Sequence, residues 1–165
     1  MRGRVWVATA IAGVAIGVGG LAAYAKSPSP AKPGVTVTQG EFKSFAVGAH
    51  LAISGEAKMV RTADGRTIVW VDLRGLTPGE TYAVHVHDTP CAQDEAGGHY
   101  KFPTAVPGGA GPGDNEIWPG PVIADSAGAA NGLTVVVGRA GDTAVSVVVH
   151  RPGGPPNKIA CADLH

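Results

Sequence analysis

Short apolar runs rich in β-branched residues recur along the chain, and each is bounded by turns that contain glycine, proline or aspartate. Helical periodicity is absent here, whereas runs of this length between turn residues are typical of β-strands. The predicted strands are residues 51–61, 67–73, 81–87, 121–124, 133–137, 143–150 and 158–164. Strands joined by short turns pair antiparallel, so the sequence predicts an all-β domain, either a sandwich or a barrel.

The first 25 residues differ from the rest of the chain. Arg2 and Arg4 precede an apolar stretch that ends in Ala23-Tyr24-Ala25, a pattern typical of a signal-peptide cleavage site. The stretch is also nearly long enough to span a bilayer, so an uncleaved N-terminal anchor is the alternative. In both cases we expect an exported domain that is periplasmic, associated with the cell wall or secreted, with membrane contact only if cleavage fails.

Residues 26–34 contain three prolines and are predicted to form an extended linker. Residues 35–165 then suit one domain that is large enough to bury a hydrophobic core. This domain holds both cysteines of the chain, Cys91 and Cys161. An even cysteine count in an exported chain favours a disulfide over a thiolate metal site.

The charge distribution argues against nucleic-acid binding. The chain has 13 basic and 13 acidic residues, and removal of Arg2 and Arg4 with the N-terminal segment leaves a small acidic excess. No basic stripe or block of like charge occurs, and a nucleic-acid-binding surface needs one. An anionic substrate would therefore be attracted by individual charges near its site.

The sequence His85-Val86-His87 ends one of the predicted strands. Residues two apart on a strand share a face and lie about 6.5 to 7 Å apart, so both imidazoles can reach one metal ion. Tyr82, Val84 and Val86 alternate toward the core, which leaves the two histidines facing outward. The pair indicates a metal-binding motif, although two solvated histidines would have the same spacing.

The segment 88–120 is long, rich in glycine and proline, and follows this strand directly. Loops of this length in a compact domain are usually functional or disordered. The segment contains Cys91 and His99, and a further histidine, His150, ends the predicted strand 143–150. Four histidines can therefore meet if the loop folds back over the sheet.

From about His50 to the C-terminus, the chain resembles the copper/zinc superoxide dismutase family. The resemblance rests on an ordered set of motifs: H-V-H, a cysteine, G-G-H-Y, V-V-V-H and K-I-A-C. It implies an eight-stranded Greek-key β-barrel with an intrasubunit disulfide between Cys91 and Cys161. The four family copper ligands match His85, His87, His99 and His150. Four imidazoles suit the tetragonal geometry of Cu(II).

The ligands that hold zinc in this family are missing. His99 matches the histidine that bridges copper and zinc, but no other histidine precedes His150. We therefore expect copper without zinc. Glu116, with Asp114 as the weaker choice, is expected to hydrogen-bond the ring nitrogen of His99 that copper does not use. The alternative is that both carboxylates are solvated.

Two further departures resemble the copper-only branch of the family. The segment 151–157, a long charged loop in the zinc-containing members, has only seven residues here. Lys158 takes the place of an arginine above the copper, which keeps the charge but loses the fork of donors; an ordinary exposed lysine is the alternative. Arg151 is an auxiliary candidate. His50 and His165 lack a partner motif and are expected at the surface.

The resemblance implies an exported copper-dependent superoxide dismutase that converts superoxide to oxygen and hydrogen peroxide. His99 would carry a proton, because in the family it leaves copper when the metal is reduced. One alternative is a copper-binding protein without turnover, although Cu(I) carriers favour methionine and only Met1 and Met59 occur. The other alternative is an interaction module that has lost its metal. The sequence leaves the number of subunits open.

Overall fold

The computed structural model describes residues 34–152 and 157–165, so the predicted export segment and all of the linker except Gly34 lie outside the described residues. Nine strands occur in the described ranges: β1 (Thr36–Glu41), β2 (Lys43–Ser44), β3 (Ser54–Arg61), β4 (Thr67–Arg74), β5 (Thr81–His87), β6 (Val122–Ile123), β7 (Ala130–Val136), β8 (Ser146–His150) and β9 (Lys158–Asp163). Two 3-10 helices, Ala46–Leu51 and Asp94–Ala96, lie between strands. None of the helices in these ranges has the length and apolar character needed to cross a membrane.

The strands form two antiparallel sheets, which confirms the all-β prediction. The four-stranded sheet has the order β1-β3-β4-β7, and the five-stranded sheet has the order β2-β9-β8-β5-β6. The strand count exceeds the eight expected, and two of the nine strands, β2 and β6, have only two residues each. The predicted strand 81–87 is observed with the same bounds.

The main core lies where alternating side chains of both sheets are buried. In β4, for example, Val69 and Val71 are fully buried while Trp70 between them is exposed. From the five-stranded sheet, Val86 and Val149 join the same buried cluster. Burial of each such side chain stabilises the fold by about 1.5 to 3 kcal/mol relative to its exposure.

The five-stranded sheet is also buried on its second, outer face around β8. All five residues of β8 are buried. A small apolar cluster covers this face, and it contains Ala96, Val148, Cys161, Cys91 and Phe45. Cys91 from the loop and Cys161 from β9 form the expected disulfide. The disulfide fastens the long loop to the outer face of the sheet.

The N-terminal part of the domain differs from its prediction. The strand predicted from residue 51 begins at Ser54, because Ala46–Leu51 form a 3-10 helix that is closed by Ala52 in a left-handed conformation. Strand β1 was not predicted. Its inward positions, Thr38 and Gly40, are not apolar, so the alternation that marks a half-buried strand is missing.

Candidate metal centre

Three of the four predicted ligands lie on the outer face of the five-stranded sheet. His150 pairs directly with Ala83, which shares its face of β5 with His85 and His87. The three rings therefore gather on one side of two adjacent strands. Their centroids lie 4.6 Å apart for His85 and His150, 5.4 Å for His87 and His150, and 6.5 Å for His85 and His87.

The fourth ligand, His99, reaches the same place because the loop returns antiparallel to β5. His99 forms a β-bridge with His87. On either side of this bridge, Tyr100 N donates to Val86 O at 2.9 Å and Asp88 N donates to Gly98 O at 3.1 Å. The backbone thereby places the His99 ring centroid 4.1 Å from that of His85 and 4.9 Å from that of His87.

Gly97, two residues before His99, allows this close return. Gly97 has a φ of +59°, which L-residues with a side chain rarely adopt. A Cβ atom on Gly97 would also collide with the side chain of Thr89. The first glycine of the G-G-H-Y motif is therefore needed for backbone geometry.

One nitrogen from each of the four histidines lies within 4.8 Å of the others, which is close enough to hold a metal ion. A metal at about 2.0 to 2.1 Å from each imidazole nitrogen needs opposing donors about 4 Å apart. The structure brings together the four residues that the sequence predicted as ligands: His85, His87, His99 and His150.

The two histidines of β5 face away from the main core, as the alternation predicted, but they are buried, which argues against the alternative of two solvated side chains. His85 is 2% exposed, and His87 and His150 are 1% exposed. Their face is the one predicted by alternation, but the loop 88–120 folds over it. Burial on both faces explains why a strand with alternating character has only buried residues from Val84 to His87.

Burial leaves several histidine nitrogens without partners. Among the described residues, no hydrogen-bond partner contacts His85 Nδ1, His85 Nε2 or His150 Nδ1. An unsatisfied buried polar group costs about 1 to 3 kcal/mol. A metal ion bound by the cluster would satisfy a nitrogen of each ring, so the donor set fits a metal.

The tautomer of His87 is fixed by the loop. Its Nδ1 lies 3.0 Å from the carbonyl oxygen of Ala96, so this nitrogen donates the proton. Its Nε2 is then an unprotonated donor for a metal and lies 3.3 Å from Nε2 of His150. The two Nε2 atoms are close enough either to share a proton or to bind the same metal ion.

The buried carboxylate of Glu116 orients His99. Its Oε2 accepts hydrogen bonds from His99 Nδ1 at 2.6 Å and from Trp118 Nε1 at 2.8 Å. Lys101 Nζ lies 3.2 Å from its Oε1. With Nδ1 protonated, the Nε2 of His99 is the nitrogen available to a metal. Asp114, the weaker sequence candidate, is exposed, and its backbone rather than its side chain makes hydrogen bonds to Val106 and Gly111.

Sequence reasoning missed two residues of this network, Trp118 and Lys101. The Trp118 indole packs with its centroid 4.5 Å from the His85 ring while its N–H reaches Glu116. One signal was available, because a partly buried tryptophan needs an acceptor for its N–H and Glu116 is two residues away. Lys101 forms a β-bridge with Glu116. No local sequence pattern predicts this pairing.

Lys158 is half-buried near the centre. It pairs with His150 across β8 and β9, and its Nζ donates to the carbonyl oxygen of Gly97 at 2.7 Å. Its charge also contributes, after burial, to the lowered pKa values of His87 and His150. Its side chain is therefore held against the loop that carries His99.

The other basic candidates lie at the surface. The exposed Arg151 donates to the carbonyl oxygen of Val47 at 3.3 Å. His50 and His165 are exposed, as the sequence predicted. The structure groups none of these three side chains with the histidine cluster.

Burial keeps the strand histidines neutral. It is the main cause that lowers the pKa of His85 to about 2, of His150 to about 3 and of His87 to about 4, and neighbouring histidines add to the effect. Burial alone would raise the pKa of Glu116, but hydrogen bonds from His99, Trp118 and Lys101 outweigh it and lower that pKa. At neutral pH the cluster therefore offers unprotonated nitrogens and one buried anion, the form that binds metal cations.

Comparison of the sequence with models of known protein families gives no match, and a search of curated proteins also finds none. The chemistry assigned to the centre therefore depends on the residues and their geometry.

Proposed function

We propose that the four histidines hold one copper ion and that the protein is an exported superoxide dismutase. The observation that carries the proposal is the convergence of four histidine nitrogens within 4.8 Å of one another in a buried cluster. The ordered sequence motifs support the same function, since they resemble the copper/zinc superoxide dismutase family. On this proposal, the two sheets form the Greek-key barrel of that family.

The donor set favours copper over other metals. Four imidazoles and no thiolate suit copper, whereas hard cations such as magnesium and calcium prefer oxygen ligands. The cysteines are joined in a disulfide and do not compete as ligands. We expect little zinc, because the far side of His99 is occupied by the carboxylate of Glu116 rather than by further histidines.

Bound copper would supply the one-electron chemistry that converts two superoxide ions and two protons to oxygen and hydrogen peroxide. The protein's part is to orient the ligands and to deliver protons. His99 suits proton delivery best, because its side chain is 19% exposed whereas the other three histidines are almost fully buried. Its Nε2 can accept a proton while the Nδ1 proton remains on the hydrogen bond to Glu116.

Two lysines near His99 would supply local positive charge to attract a small anion. Lys158 donates to the carbonyl oxygen of Gly97, two residues before His99. Lys101 contacts Glu116, which hydrogen-bonds the His99 ring. Lys101 is offset by Glu116, so Lys158 supplies the uncompensated charge. A lysine ammonium attracts superoxide as a point charge and without the bidentate geometry of arginine.

The test is to load the purified protein with copper and to measure bound copper, bound zinc and superoxide decay. We expect one copper per chain, little zinc, and superoxide decay faster than that in the same buffer without protein, after unbound copper has been removed. His99→Ala should lower the rate per bound copper by about 100-fold or more, the effect of losing a positioned proton donor. His50→Ala is the matched control, because it removes an exposed histidine outside the cluster.

Copper bound without a rate above the buffer value would reject the enzyme and favour the copper-binding alternative. Failure to retain copper would reject both. Equal losses of rate in His99→Ala and His50→Ala would show that the cluster does not carry the reaction.

A further inference from the structure

The outer face of the four-stranded sheet differs from that of the five-stranded sheet because it carries several exposed apolar side chains. Strand register arranges its side chains in rows across β1, β3, β4 and β7. One row is entirely apolar and consists of Val37, Val60, Ile68 and Val135. The next row consists of Gln39, Lys58, Trp70 and Leu133. We call these two rows the apolar face.

Several apolar side chains of this face have a large solvent-exposed fraction and lie close together. Leu133 is 64% exposed, Val37 53%, Val135 45% and Trp70 37%. The four lie in two adjacent rows of a single sheet, so they form a continuous patch. Continuous apolar patches on soluble proteins mark interaction sites.

Opposite charges border the two ends of the apolar face. Beyond the first row lie Arg66 in the β3–β4 turn and Arg139, which donates to Thr62 O and Thr36 Oγ1. Asp64 offsets part of this charge. The face is therefore basic at this end.

The row beyond the second end consists of Glu41, Glu56, Asp72 and Asn131. Arg74 pairs with Asp72 at 3.1 Å and neutralises this one of the three carboxylates in the row. This end therefore remains acidic. The face is self-complementary in charge when its ends are exchanged.

We propose that the apolar face binds the same face of a second copy in a two-fold symmetric dimer. A two-fold axis across the strands, between the two rows, reverses the row order and makes the contact isologous. Trp70 then lies over Ile68 of the other copy, and Leu133 over its Val135. An axis parallel to the strands would instead place the acidic row against itself.

The same axis brings the charged ends together. Arg66 lies beyond the first row on its strand, and Asp72 lies beyond the second, so Arg66 of each copy lies over Asp72 of the other. Within its own copy, Arg66 also contacts Asp64 and Asp72 contacts Arg74. Each dimer contains this contact twice because of the symmetry.

After these ion pairs are counted, Arg139 leaves one end basic and Glu41 and Glu56 leave the other end acidic. These opposite net charges are the reason for choosing a second copy over another partner as the occupant.

The size of the face predicts a weak dimer. Four strands about 4.8 Å apart and four rows about 6.8 Å apart give ~500 Å² per copy. Two copies bury about 1,000 Å², the lower limit for a specific interface. We therefore expect reversible association that depends on protein concentration.

The experiment is sedimentation equilibrium on protein purified from cells that express the full chain, over a wide concentration range. Leu133→Lys combined with Val135→Lys should raise the dimer dissociation constant at least about tenfold, or 1.4 kcal/mol. Ile123→Lys is the matched control, because Ile123 is 69% exposed on β6 of the other sheet. Circular dichroism melting checks that each variant folds.

The charged contact allows a second, independent test. Arg66→Asp and Asp72→Arg should each weaken the homodimer, since each places like charges opposite one another. A mixture of the two single variants should dimerise again, because each heterodimer contact then pairs opposite charges. A monomer at all concentrations, an equal effect of the Ile123 control, or no recovery in the mixture would overturn the proposal.

Discussion

The metal centre has two halves that are positioned by different means. The strand half consists of His85, His87 and His150. The loop half consists of His99, Glu116, Trp118 and Lys101. Strand pairing fixes the first half, and two of its three rings have buried nitrogens without partners. Side-chain hydrogen bonds around one carboxylate fix the second half.

This difference teaches that the halves have different tasks. Unpaired buried nitrogens destabilise the metal-free protein, so we propose that the strand half is committed to a metal. The loop half is satisfied without a metal and contains the most exposed ring, His99, so on the proposed function its task is to admit protons and substrate. Variants in the strand half should abolish metal binding, and variants in the loop half should tune it.

The largest effect should follow from His85→Leu in the strand half. We expect the variant to lose stoichiometric copper retention while its metal-free form is at least as stable as the parent, since two unsatisfied nitrogens are removed from a buried site. Metal analysis after dialysis and urea unfolding of the metal-free proteins measure both quantities. A variant that retains copper, or a metal-free variant that is strongly destabilised, would contradict the commitment of this half to a metal.

Removal of the disulfide should separate the halves. Cys91→Ser with Cys161→Ser opens a connection between residues 70 apart, which costs about 4 kcal/mol of unfolding free energy on the chain-entropy model. Because Cys91 fastens the loop to β9, copper affinity should fall as well. Chemical unfolding and a copper competition titration test this prediction. An unchanged affinity would mean that the hydrogen bonds around Glu116 position the loop without the disulfide.

Acid should destabilise the metal-free protein through the strand half. The folded pKa values of about 2, 3 and 4 lie below the ordinary 6.5, so between pH 6.5 and 4 the unfolded chain binds protons that the folded chain does not. The contribution of these neutral histidines to the free energy of unfolding is therefore fully present above pH 6.5. It is lost as pH falls, by up to about 1.4 kcal/mol per pH unit for each histidine. Urea unfolding at several pH values measures the slope. His85→Leu should reduce it, and an equal slope in both proteins would exclude His85 as a cause.

The loop half should respond more weakly. Glu116→Gln removes the charge that orients His99 and should lower copper affinity or the rate by about 10- to 100-fold. Asp114→Asn is the matched control, since Asp114 is exposed in the same loop. Competition titration and superoxide decay compare the two variants. Similar results for both would remove Glu116 from its orienting role.

The smallest effect is expected for Lys158→Ala. If Lys158 attracts superoxide, the rate should fall severalfold and depend less on salt concentration, because attraction between exposed charges is screened by ions. Stopped-flow measurement of superoxide decay at several ionic strengths tests this. An unchanged rate with an unchanged salt dependence would mean that Lys158 does not attract superoxide and that its role is limited to the hydrogen bond to Gly97.

The strand half could be predicted from the sequence far better than the loop half. Alternation on β5 and the end of β8 suffice to place His85, His87 and His150 on one face, because side-chain direction on a strand follows from sequence position. Their burial could not be predicted, since it depends on how a distant loop folds. Glu116 could be predicted only as the preferred one of two carboxylates. Trp118 and Lys101 were missed, because their contacts with Glu116 depend on how the loop folds in three dimensions.

Electron paramagnetic resonance of the protein loaded with one equivalent of Cu(II) tests the four-histidine copper centre most directly. We predict a tetragonal copper signal with hyperfine couplings to histidine nitrogens, and loss of one nitrogen coupling in His99→Ala while His50→Ala leaves the spectrum unchanged. A spectrum of copper bound mainly by oxygen, or one that does not respond to His99→Ala, would contradict the centre.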